Sequence, residues 1–317
     1  MQVKSKVKWI KLPPEVESAI ENDPYDGLEH GKITVTALIS PPRQYQLLRR
    51  HQKEISKGAG RYLAFLGQGI HTAMERCDLA GAIKERRFKV RVLKYKHVIT
   101  GKIDLYLDEV ITDYKVVAMR AANYVHEEWA EQLNLLALLL RHNGHEVKKV
   151  RNMLFYRDWN PIDYERGIIR RPPVEIQVQP LWPEEKTLKF LDERLSFHIA
   201  SKGLEDSMLP KCTKDETWET PTIYRMIKPG KTRAFRICKT IDEANAIMID
   251  HPNLRMDVVK GMPIRCELFC EARQFCNQYE VYAEMTRRID YETERIRNLI
   301  KASGSKKDSE SPSEQIG

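Results

Sequence analysis

The chain is expected to be an α/β protein in which strands and helices interleave, with a compact α/β lobe beyond the main core and cysteines at metal-ligand spacing. Three observations lead there. Segments alternating with period two (Arg87, Lys89 and Arg91 against Phe88, Val90 and Val92) interleave with segments at helical spacing (Leu63, Leu66, Ile70, Met74). At 317 residues the chain exceeds a typical single domain, leaving room for a lobe beyond one core. The cysteines are unevenly placed, with Cys266, Cys270 and Cys276 crowded together far from Cys212.

In chain order, residues 1–30 hold Pro, Asp and Glu with little periodicity and read as an irregular lead-in. The core, 31–205, begins with a short strand at 33–37, a Pro-Pro stop and a basic helix from 43 to about 55. Gly58 and Gly60 precede a long amphipathic helix from 61 to about 83. The alternating segment 87–92 reads as a strand with one cationic face, and 98–107 and 110–117 as a hairpin turning at Asp108-Glu109. An apolar helix at 124–141 ends at Asn143-Gly144, and strands at 147–156 and 174–178 precede a helix at 184–198. The lobe, 206–280, combines strands at 222–227, 233–239 and near 256–260 with a helix at 241–249. The remainder, 281–317, reads as a charged helix to about 300 and a disordered polar tail.

Lys and Arg number 53 against 45 Asp and Glu, a formal net charge of +8 that favours a polyanionic partner, nucleic acid first. Arg43, Arg87, Lys89 and Arg91 belong to basic clusters suited to phosphates. The longest apolar run, Leu135 to Leu140, falls far short of the roughly 20 residues of a membrane helix. The basic N-terminus lacks a secretory apolar stretch, so a reducing cytoplasm and no membrane partner are expected. A Gly-rich phosphate loop is absent, which argues against an ATPase motor.

The sharpest local feature is GKIDLYLDEVITDYK. With a two-residue turn at Asp108-Glu109, Leu107 pairs with Val110 and Asp104 lies opposite Asp113, with Lys115 projecting beside Asp113. Facing carboxylates repel. A hard divalent cation, Mg²⁺ or Mn²⁺, would relieve that repulsion, and a neighbouring lysine would orient a water at a phosphate; the alternative is a solvated hairpin with scattered charges.

Asp104 followed by Asp113-Tyr114-Lys115 on adjacent strands resembles the core of the PD-(D/E)XK nucleases, with Ile103 at the proline position. Upstream, GQGIHTAMER is similar to the helix that supplies a metal-binding histidine in the RecB-type branch, matching at His71, with Glu75 one turn later. Downstream, AEQLNLLALLL stands where that branch carries Gln-x-x-x-Tyr; Gln132 matches, and Leu136 replaces the tyrosine. The resemblance implies a restriction-endonuclease-like fold, a central mixed β-sheet flanked by helices with a small α/β lobe closed by a four-cysteine metal cluster, and metal-assisted phosphodiester hydrolysis. It implies Mg²⁺ or Mn²⁺ held by His71, Asp104, Asp113 and the Tyr114 carbonyl, with Lys115 at the attacking water and Gln132 placing Lys115 or the DNA backbone.

The cysteines resemble those of the iron–sulfur variant of this branch, in which one distant cysteine and a C-terminal trio hold a [4Fe–4S] cluster. Here these would be Cys212 with Cys266, Cys270 and Cys276, although the trio is C-x3-C-x5-C where the family has C-x2-C-x5-C. A four-cysteine Zn²⁺ site is the rival. The implied partners are DNA and recombination or helicase proteins. The implied activity is a DNA exonuclease of recombination, repair or phage DNA metabolism, in the cytoplasm of a bacterial or phage-infected host cell. The alternatives are an endonuclease on branched, flap or CRISPR-precursor DNA and an inactive DNA-end-binding iron–sulfur subunit.

Overall fold

The computed structural model describes residues 12–22, 32–55 and 61–286. The predicted C-terminal helix beyond residue 286 and the tail lie outside the described residues.

A helix, α1 (Pro14–Glu21), occupies part of the expected irregular lead-in; Pro14 is preset for a first helical position, and Glu15 and Glu17 sit in the first turn. The strand expected at 33–37 stops early. Only β1 (Lys32–Thr34) is extended, because the Thr34 hydroxyl accepts the Ala37 N–H at 3.1 Å and starts α2 (Val35–Ile39). The basic helix is α3 (Pro42–Arg50), shorter than expected, and the long amphipathic helix is α4 (Tyr62–Met74). The chain leaves α4 through Gly81 at φ +76° and enters β2 (Ile83–Val92) with Ile83 paired to Tyr106, which removes 75–83 from the helix.

The hairpin β3 (His97–Leu107) and β4 (Val110–Val117) leads into α5 (Glu127–His142). Then follow β5 (Lys149–Tyr156), the unpredicted short helix α6 (Pro161–Glu165) capped by Asn160, β6 (Val174–Gln179) and α7 (Glu184–Ser201). One mixed six-stranded sheet results: β1 runs parallel to β3, β4 parallel to β5, and the remaining pairs are antiparallel. Its core gathers Ile33, Ile99, Ile103 and Ile111 of the sheet with Leu133, Leu136 and Leu140 of α5 and Leu191 and Leu195 of α7. The hydrophobic run of α5 is therefore a buried core helix, and no described helix is long and apolar enough to cross a membrane.

A second, three-stranded sheet follows: β7 (Ile223–Ile227), β8 (Arg236–Cys238) and β9 (Arg255–Val259), ordered β8-β7-β9, with α8 (Ile241–Asp250) between β8 and β9. It has its own small core of Met226, Cys238, Ala244 and Leu254. A neck joins it to the rest. The Thr220 N–H donates to the Met262 carbonyl at 3.0 Å, the Arg265 N–H to the Thr217 carbonyl at 3.0 Å, and Gly261 runs so close to the Thr220 carbonyl that no Cβ would fit.

Candidate functional site

The site forms where β3 and β4 part. Along one edge of β3, β2 is paired from His97 to Tyr106; along the other, β4 pairs only at Leu105–Leu107 and β1 at Val98–Thr100. Gly101 to Asp104 lie in the gap. Asp108 and Glu109 both have positive φ, 49° and 61°, the requirement of a type I′ turn, so Leu107 pairs with Val110 as expected. Past Leu105–Thr112 the ladder gives way to a side-chain bond: the Tyr114 N–H donates to Asp104 Oδ2 at 2.8 Å.

The registers set further polar groups at this level. Lys84 pairs with Leu105 and Arg86 with Ile103, which brackets Glu85 against Asp104, and Glu85 itself takes a left-handed φ of 47°. On the other side Asp113 pairs with Asn152 of β5. Asp104, Asp113 and Asn152 are all buried.

Two networks meet here. His71, near the end of α4, has Nδ1 at 3.1 Å from Glu85 Oε1 and 3.5 Å from Asp104 Oδ1, and its ring edges against Tyr114 at 5.6 Å. Ligand atoms of His71, Glu85 and Asp104 lie within 4.8 Å of one another. The second network is a closed ring. Lys115 Nζ lies 2.7 Å from Asp113 Oδ2 and donates to Gln132 Oε1 at 2.8 Å, while Gln132 Nε2 donates to Asp113 Oδ1 at 3.0 Å. Asn152 Nδ2 adds a bond to Asp113 Oδ2 at 2.9 Å and is itself held by Gln179.

Gln132 reaches Asp113 because α5 lies low on the sheet. A Cβ on Gly101 would come within 2.5 Å of Leu136 and 2.8 Å of Leu139, so the absence of a side chain there sets the helix height. Leu136, where the resembled sequences carry a tyrosine, is a core residue packed over that glycine.

The electrostatics suit a hard cation. Burial, and after it the Asp113 charge, push Asp104 up to about 7. Burial acts to lower His71, but the Glu85 hydrogen bond and the nearby carboxylates outweigh it and raise the group. Burial acts to raise Glu85, which His71 and Lys102 nevertheless hold below the ordinary carboxylate range. Two buried carboxylates on adjacent strands, a third at the same level and one imidazole are an oxygen-rich donor set fitting Mg²⁺ or Mn²⁺ better than softer metals.

Compared with the sequence reading, Asp104, Asp113, Lys115, Gln132, His71 and Tyr114 all converge. Glu85 and Asn152 were missed, and Glu85, not Glu75, is the carboxylate beside His71. A lone acid in the cationic segment KERRFKVRV was the available signal. Arg87, Lys89 and Arg91 are exposed on β2. Arg43 is a correction: it is 2% exposed, and its guanidinium is spent on the carbonyls of Leu209 and Pro210 and on Asn277, so it braces the chain before Cys212 and cannot meet a phosphate.

The four cysteines line one cavity of about 270 Å³ together with Leu47, Ala272 and Tyr279. Burial raises Cys212 and Cys266 to about 12 and Cys270 to about 11, with neighbouring thiols reinforcing it at each and Glu216 at Cys212. Tetrahedral zinc, with Zn–S near 2.3 Å, needs sulfurs about 3.8 Å apart. Among the described residues no three of these thiols come within 4.8 Å of one another. Cys77 and Cys238 stand apart from this cavity, Cys238 inside the small core of the second sheet.

No family model matches the chain, and no curated protein matches it. Among solved structures, the crystal structure of SSO0001 superposes with a TM-score of 0.41 at 15% identity, over 57% of this chain and 82% of that one. A likeness that loose carries no information about activity.

Proposed function

We propose that the chain is a metal-dependent deoxyribonuclease of the PD-(D/E)XK type, acting as a DNA exonuclease in recombination, repair or phage DNA metabolism. The observation that carries the reading is the Asp113–Lys115–Gln132 ring set against the His71–Glu85–Asp104 group. Mg²⁺ or Mn²⁺ held by His71, Glu85 and Asp104, with Asp113 and the Tyr114 carbonyl beside it, would supply Lewis-acid polarisation of a phosphodiester. Lys115 Nζ, held by Asp113 and Gln132, would orient the attacking water with its remaining N–H. Asp113 and Gln132 fix that amine from both sides, and Asn152 fixes Asp113, so little reorganisation is needed when charge develops on the phosphate. Arg87, Lys89 and Arg91 supply backbone contacts that carry no sequence preference.

We read the cysteine cavity as a [4Fe–4S] site, with zinc as the rival, because four thiols lining one cavity are the ligand complement a cubane takes and the cysteine pattern resembles that of the iron–sulfur nucleases. Buried thiols with raised pKa values would release protons on loading. The lobe between Cys212 and Cys266 would then be held to α3 from both ends.

Purified protein with Mn²⁺ is expected to shorten end-labelled linear DNA progressively and to spare covalently closed circles, with EDTA stopping the reaction. Cutting of closed circles at the same rate would replace the exonuclease with an endonuclease. No cutting with any divalent ion, alongside tight end binding, would leave a binding subunit.

A further inference from the structure

The second sheet carries a basic, aromatic hairpin that the catalytic reading does not use. From Arg225 to Lys239 the sequence RMIKPGKTRAFRICK holds six Lys and Arg and neither Asp nor Glu. It folds as β7, a turn at Pro229-Gly230 with Gly230 at φ +69°, and β8. One side of the hairpin is anchored, with Met226 and Cys238 buried against α8. The rest projects into solvent: Lys228, Lys231, Arg233 and Lys239 are exposed, and among the described residues none of them is in an ion pair. The other two cations are committed, Arg225 to Asp257 and Arg236 to Glu243. Phe235 stands among the free cations 50% exposed, with Lys228 Nζ over its ring at 4.5 Å and Ile237, 56% exposed, two residues on.

We propose that this hairpin is a binding site for single-stranded DNA, with Lys228, Lys231, Arg233 and Lys239 contacting backbone phosphates and the Phe235 ring stacking on a base. An exposed aromatic costs solubility unless something covers it, and the unpaired cations around it select a polyanion that has flat apolar faces. A duplex offers the phosphates but keeps its bases stacked internally, so the ring favours the single strand. The site lies on a unit with its own core and a narrow neck, separate from the metal-binding group, and it requires no cleavage to operate.

The test is fluorescence anisotropy of labelled oligo(dT) and of a duplex of equal length with the full-length protein in EDTA, as a function of salt. The Lys228→Ala/Lys231→Ala/Arg233→Ala variant is expected to lower the salt slope on oligo(dT) by about 2, since each single-strand phosphate contact contributes roughly 0.7. Phe235→Ala is expected to weaken oligo(dT) binding about tenfold, with Phe235→Tyr restoring it and duplex binding unchanged. A control removing three other exposed lysines, Lys53, Lys189 and Lys202, separates the hairpin from net charge. Wild-type affinity and salt slope in the triple variant, or equal losses in the control, would overturn the proposal. So would a Phe235→Ala variant that binds oligo(dT) normally. Because binding is read without metal, these outcomes are independent of whether the protein cuts DNA.

Discussion

Asp104 and Asp113 are buried on adjacent strands, and only Asp113 has cationic and amide partners closed around it. Asp104 is the strained member, pushed up to about 7 by burial and then by Asp113. Removing its charge should relieve that cost: Asp104→Asn is expected to raise the stability of the metal-free protein at pH 8 by about 1–2 kcal/mol in thermal melts, while abolishing the rise that Mn²⁺ produces in wild type. A wild type that Mn²⁺ does not stabilise, beside an Asp104→Asn variant no more stable than wild type, would remove the case for a cation here. Glu85→Gln should weaken Mn²⁺ binding, measured by calorimetry, by at least the roughly 10–100-fold typical of residues supporting a metal site. Asp104, Asp113 and Lys115 were legible because one short hairpin contains all three, and a turn position alone sets their register. Glu85 was not. Its place depends on the β2–β3 register, which a connection through Leu93–Tyr95 and a left-handed Lys96 sets without a turn motif.

At the scale of elements, the height of α5 over the sheet decides whether Gln132 meets Asp113. Gly101→Ala is expected to cost about 1–3 kcal/mol in urea denaturation, because Leu136 and Leu139 must move by most of an ångström. The strand expected at 33–37 gives way after Thr34 because a Thr N-cap outweighs the β-branched residues around it, a contest that local pattern does not resolve. A second element-scale device joins α7 to α2. His198 of α7 is buried with Nε2 at 3.0 Å from the Leu38 carbonyl, and its ring lies edge-on to Tyr45 at 5.1 Å; burial, with Arg194 nearby, pulls its pKa to about 4, Glu216 being the opposing charge. The unfolded histidine takes a proton near 6.5, so the folded state refuses a proton the unfolded chain accepts. This contribution is complete above pH 6.5 and falls as pH drops toward 4, by up to about 1.4 kcal/mol per unit. His198→Gln should flatten the loss between pH 7 and pH 5 in urea titrations; an unchanged pH slope would place the acid sensitivity elsewhere.

For the whole molecule, length left room for a lobe beyond one core and charge favoured a polyanionic partner; the described residues form two sheets, each with its own core. What composition concealed is how the parts connect. Arg43, counted among the phosphate contacts, instead ties α3 to the chain before Cys212, and Arg61 pairs with Glu271 beside the cysteine trio at 2.6 Å. Only the tertiary path separates a structural arginine from a functional one. Anaerobically purified protein is expected to be brown, with broad absorbance at about 400 nm that Cys266→Ser removes; a colourless protein with stoichiometric zinc would contradict the cluster. The proposed catalytic centre is tested most directly by the rate at which wild type and Lys115→Ala release nucleotides from end-labelled linear DNA in Mn²⁺, with DNA affinity measured in parallel. Cleavage by wild type and a loss of at least about 100-fold in the variant at unchanged affinity is the predicted result. Equal rates in the two proteins would contradict the assignment of Lys115 and, with it, the site.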